Sequence, residues 1–120
     1  MTIRRFATIS LAAIALSAFA APSQAVGNFD GKWSVVIVTT KGECDRAYRY
    51  PIAINGQTLI NAGDTAFNIS GKVQADGAVT VRVAYGDKSA NGSGRLTGAS
   101  GSGSWSGGTC AGHWTAERRS

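Results

Sequence analysis

Beyond residue 26, apolar side chains alternate with polar or small ones along nearly the whole chain. That period of two predicts strands, because residues two apart on an extended backbone share a face. The first run, Gly31 to Thr40, is rich in β-branched residues and sets Trp33, Val35 and Ile37 on one face, Val36 and Val38 on the other. In the second, Arg46, Tyr48, Tyr50, Ile52 and Ile54 alternate with Ala47, Arg49 and Ala53. Pro51 has no amide proton for a ladder and belongs at an edge, at a bulge or facing solvent. Asn55-Gly56 predicts a tight type I′ hairpin into a short strand, Gln57 to Ile60. Asn61 to Thr65 is the least patterned stretch and is expected as a mobile loop. Phe67, Ile69, Gly71 and Val73 then alternate up to a second hairpin at Asp76-Gly77, and Val79, Val81, Val83 and Tyr85 alternate back.

The C-terminal stretch is glycine-rich yet keeps the same register. Ala90, Gly92, Gly94 and Leu96 share a face, then Gly101, Gly103 and Trp105, then Cys110, Gly112, Trp114, Ala116 and Arg118. A flexible Gly/Ser linker has no reason to hold period two and to deliver large apolar groups at its ends, so these segments are read as strands. Each tryptophan has a glycine two residues before it: Gly31 and Trp33, Gly103 and Trp105, Gly112 and Trp114. Such a motif sets a hole beside a ring on one face, and a ring from a neighbouring strand can fill the hole in a strongly curved sheet. About eight strands joined by tight turns, with no helical periodicity, make an all-β antiparallel meander closed into a barrel, which leaves no sheet edge exposed.

Two features place this barrel outside the cytoplasm. Arg4 and Arg5, the apolar run Phe6 to Ala21 and the small-x-small site Ser23-Gln24-Ala25 read as a secretory signal peptide over residues 1–25, with cleavage after Ala20 as an alternative; residues 26–120 then form one barrel domain, periplasmic or secreted. The chain has two cysteines, Cys44 just past the first strand and Cys110 at the start of the last. In an oxidising compartment they are expected to form a disulfide that ties those strands together, worth roughly 4 kcal/mol in the loop-closure view. The formal charge of +5 includes Arg4 and Arg5. What remains is mildly basic and scattered, which gives no footprint for nucleic acid and leaves acidic surfaces as the favoured contacts.

Catalytic chemistry finds little material. His113 is the only histidine and lies on the face opposite Trp114, and the seven carboxylates fall mainly in turns or at strand ends. Without further imidazoles, and with both cysteines paired, no metal site is expected. The chain is therefore read as a non-enzyme. Its polar and aromatic concentration is Glu43 to Tyr50, and Arg46, Tyr48, Arg49 and Tyr50 are the candidate ligand-binding residues, since Tyr and Arg combine apolar area with directed polar groups. Trp33, Trp105, Trp114 and Arg118 are assigned to the structural core.

Phe29 to Val38, Cys44 to Pro51, Asn68 to Val73, Gly92 to Leu96 and Cys110 to Arg119 together resemble a group of small secreted bacterial proteins, some of them labelled as related to large exoproteins of haem utilisation or adhesion. A second resemblance is architectural. Gly31 and Trp33 opening the first strand, with Arg118 late in the last, are similar to the pattern of lipocalins, avidins and small secreted inhibitors of metalloproteases. It implies a barrel in which the arginine packs over the tryptophan at one end. The expected function is binding: of a small ligand, with haem among the candidates although no residue points to it, or alternatively of a protein, as a secreted protease inhibitor or an envelope accessory protein. A hollow interior would favour the first and a filled one the second.

Overall fold

The computed structural model describes residues 28–120, so the expected signal peptide lies outside the described residues. Each alternating segment forms a strand: β1 Gly31–Lys41, β2 Ala47–Asn55, β3 Thr58–Asn61, β4 Asn68–Val73, β5 Ala78–Tyr85, β6 Lys88–Thr97, β7 Ser100–Gly107 and β8 Cys110–Arg118. All neighbours are antiparallel, and β1 pairs with β8 from Trp33↔Arg118 to Lys41↔Ala111, closing the barrel. Most large apolar side chains point inward, and the outer wall carries Lys32, Arg49, Lys72, Arg82 and the serines of β6 and β7 together with Val36, Val38 and Ile60. This polarity is the reverse of a lipid-facing barrel.

Two details depart from expectation. The first hairpin turns at Gly56 and Gln57, with φ of 60° and 73°, one residue later than the Asn55-Gly56 motif suggested; Asn55 is the last paired residue of β2. Packing explains the shift, because this register sets buried Ile54 opposite buried Leu59, and a slip of one would turn Leu59 out to water. The second departure is the stretch expected to be a mobile loop. Asn61 braces it: its Nδ2 donates to the carbonyls of Asp64 and Phe67, and its Oδ1 accepts from the Gly63 amide.

Cys44 and Cys110 are bonded, with Cα atoms 6.2 Å apart at a sequence separation of 66. The bridge fixes the corner after β1 against the start of β8. Thr39, buried in that corner, adds a hydrogen bond from its hydroxyl to the Asp45 carbonyl (2.6 Å).

The two C-terminal Gly-x-Trp motifs interlock. In the β7–β8 register Gly103 faces Trp114 and Trp105 faces Gly112, so each ring lies opposite the other motif's glycine. A Cβ on Gly103 or on Gly94 would stand 2.6 Å from the Trp114 ring, so that ring lies flat across β7 and β6 where only hydrogen fits. Trp105 crosses Gly112 to donate from Nε1 to the Val38 carbonyl of β1 at 3.1 Å. Gly31 serves differently: with φ of 136° it lies against the Ser120 backbone and holds no ring.

Candidate ligand site

The two ends of the barrel are filled unequally. At one end Trp33 is buried among Ile54, Leu59, Val73, Val79 and Leu96, and its Nε1 donates to the Phe29 carbonyl (2.9 Å). Arg118 lies over this ring, Cζ 5.3 Å from the centroid, and its guanidinium donates to the carbonyls of Asp30, Asn28 and Gly98. One side chain thus ties the residues before β1 to the β6–β7 turn, with a cation–π contact worth about 0.5–2 kcal/mol.

Above that plug lies a cavity of about 330 Å³. It follows from side-chain size. Three of the four inward positions of β6 are small, Ala90, Gly92 and Gly94, the neighbouring wall includes Ile69, Val81 and Val83, and Trp114 takes up little depth because it lies flat on glycines. The walls are almost wholly apolar, and Asp45 is the single formal charge among the lining residues. A volume of this size is at the small end of the range for ligand pockets, about 300–1,000 Å³.

Aromatic residues and the β3–β4 connection form the mouth. β3 is four residues long and shares one rung with β4, Thr58↔Lys72, so between the upper halves of β2 and β4 the wall is closed by residues 62–67 instead of a strand. Phe67 fills that gap, edge-on to Tyr50 (5.3 Å) and stacked on Tyr85 (4.8 Å). The Tyr50 hydroxyl lies 2.7 Å from Asn61 Oδ1 and 2.9 Å from the Asp64 carbonyl, sharing one proton between two acceptors. Burial holds the Tyr50 phenol above its ordinary pKa, with the nearby Asp64 charge in the same direction and the Asn61 hydrogen bond opposing. Tyr48 is shifted upward as well, by burial first and then by Asp45 and Tyr50.

Of the four candidate ligand residues, the structure brings two to the cavity. Tyr48 stands half-exposed at its mouth and Tyr50 is buried in its wall. Arg49 alternates to the outer surface, where Nη1 donates to Ser34 Oγ at 2.8 Å. Arg46 precedes β2, is exposed and does not line the cavity; its carbonyl accepts from the Thr39 amide. Trp33 and Trp114 belong to the buried core cluster and Arg118 lies over Trp33, whereas Trp105 is half-buried and forms cavity wall. His113 is exposed on the outer wall, paired across strands with Ser104 and Val38.

Sequence reasoning missed Phe67 and Tyr85 at the rim and the Ile69, Val81 and Val83 wall. Their inward alternation was visible, but nothing local said that the glycines of β6 would leave them facing space. It also missed that the three indoles differ. Among the described residues, Trp114 Nε1 is the one buried side-chain polar atom without a hydrogen-bond partner. An unmet donor of this kind costs about 1–3 kcal/mol.

No family model matches this chain, and comparison with curated proteins and with solved structures found no match.

Proposed function

We propose that this protein is an exported, non-catalytic carrier that binds one small, largely apolar molecule inside its barrel. The observation that carries the reading is the 330 Å³ apolar cavity, closed below by Trp33 and rimmed by Tyr48 and Phe67, with Tyr85 stacked on Phe67. A protein-binding barrel has no use for an unfilled interior, which costs stability through lost packing. At about 0.5 kcal/mol per atom, a ligand of about a dozen non-hydrogen atoms would bind with a dissociation constant on the order of tens of micromolar. Catalysis forms no part of the reading, since the sole imidazole is on the outer wall and Asp45 is the single carboxylate among the lining residues.

Haem is a poor occupant. His113 faces away, Tyr50 is engaged by Asn61 and Asp64, and the raised pKa of Tyr48 disfavours the phenolate that would ligate iron. Haemin titration is expected to give no saturable Soret change at one equivalent.

The test is a solvatochromic apolar probe titrated against the purified protein and against Val83→Trp, which puts bulk into the cavity. Saturable one-to-one binding lost by at least tenfold in the folded variant is expected; a wild-type protein that takes up no apolar probe would end the carrier reading.

A further inference from the structure

Resting on that reading, we infer that the ligand binds end-on: a hydrocarbon part without polar atoms fills the void, and its one polar group, uncharged or cationic, stays at the mouth. Below the mouth, every polar side chain that lines the cavity is engaged or out of reach. Trp33 Nε1 donates to the Phe29 carbonyl, Trp105 Nε1 to the Val38 carbonyl and the Thr39 hydroxyl to the Asp45 carbonyl. The Tyr50 hydroxyl is held by Asn61 and Asp64. Trp114 Nε1 has almost no accessible surface, so no ligand atom in the void reaches it. Backbone groups lie in the plane of the sheet, in ladders between neighbouring strands. A ligand oxygen or nitrogen at this depth would give up water and gain nothing. The polar lining residues that remain, Asp45, Tyr48 and Asn91, are exposed; the first two stand at the mouth, and Asn91 has the outward parity of β6.

Charge at the mouth chooses the sign of the polar group. Glu43, Asp45, Asp64 and Asp87 are exposed at that end, against Lys41, Arg46 and Lys88, whereas basic residues outnumber acidic ones over the rest of the described barrel. Among the described residues the ion pairs are Arg95–Asp76 and Arg119–Glu117, both at the Trp33 end, so none neutralises a mouth carboxylate. Asp45 is the only formal charge among the lining residues, so an anionic head meets repulsion there and a cationic one attraction. Water and salt screen an exposed carboxylate, which makes the preference severalfold rather than absolute.

The experiment displaces the solvatochromic probe at neutral pH with 1-decanol, 1,10-decanediol, decylammonium and decanoate, which share a chain and differ at its ends. Decanol is expected to bind about fivefold to a hundredfold tighter than the diol, whose second hydroxyl must be buried without a partner. Decylammonium is expected to bind about threefold or more tighter than decanoate, with the gap narrowed by added salt and in Asp45→Asn. Nuclear Overhauser contacts should join the terminal methyl of decanol to Val79, beside Trp33, and its hydroxyl end to Tyr48. A diol that binds as well as decanol, or the reverse set of contacts, overturns the end-on placement. Decanoate binding as tightly as decylammonium overturns the charge of the head, and a gap that survives Asp45→Asn removes Asp45 as its cause. If the probe binds and no decyl compound displaces it, this inference fails while the carrier reading stands. If neither probe nor decyl compound binds, both fall.

Discussion

The Trp33 end and the Tyr48 end of this barrel are built from the same alternation and reach opposite results. At the first, Trp33 and Val73 are 1% exposed and a guanidinium seals the outside; at the second, Tyr48 and Tyr85 are 40% and 52% exposed and a void lies beneath them. The difference is how rings meet glycines. Trp33 shares a buried cluster with Ile54, Leu59, Val73, Val79 and Leu96, and Arg118 covers its ring. Trp114 and Trp105 instead face glycines, so they flatten against the wall and leave the axis empty. Hydrophobic pattern alone therefore makes a barrel, and the placement of glycine decides which half is core and which half is cavity.

The sharpest way to break this contrast is to remove the plug. Trp33→Ala is expected to destabilise the protein by about 3–5 kcal/mol, and chemical denaturation would measure it. A loss below about 1 kcal/mol would mean that the closed end is not the core. Next is the disulfide at the other end: the paired change Cys44→Ser and Cys110→Ser is expected to cost about 2–4 kcal/mol, read as a lowered denaturation midpoint that wild type reproduces under reductant. An unchanged midpoint would show that closure of β1 on β8 does not depend on the staple.

The smallest effect isolates the mouth. Tyr50→Phe keeps the ring against Phe67 and removes the hydroxyl held by Asn61 and Asp64, so about 1 kcal/mol should be lost near neutral pH. The same variant carries a pH signature. The folded Tyr50 pKa is raised above its unfolded value near 10, so the folded state keeps its proton where the unfolded state begins to lose it. Stability from this group is complete below about pH 10 and is lost as pH rises through the folded value; in Tyr50→Phe that alkaline decline should be shallower, with Tyr48 supplying what remains. Equal slopes in the two proteins would remove Tyr50 as a contributor.

Much of this architecture could be read from residues. Strand faces followed from Val, Ile and Tyr two apart, and the pairing of β1 with β8 followed from Cys44 and Cys110 lying at the ends that such pairing brings together. The turn at Gly56 and Gln57 was misjudged by one position because turn propensity is local, whereas register answers to the burial of Ile54 against Leu59. Which candidates face the cavity was legible in part. Tyr48 and Tyr50 carry an inward parity, while Arg49 was chosen for its residue type although its parity sends it outward to Ser34.

By itself, then, the sequence determined the class of fold, the inward and outward set of each strand and the identity of the staple, because these depend on period two and on composition. Only the tertiary structure decided that the interior is partly hollow, that residues 62–67 complete the wall where β3 stops, and that one indole of three is left without a partner. Those outcomes depend on which glycine faces which ring across neighbouring strands, and on the volume left when all eight strands close. Volume and partnership are properties of the closed barrel, and no single strand contains them.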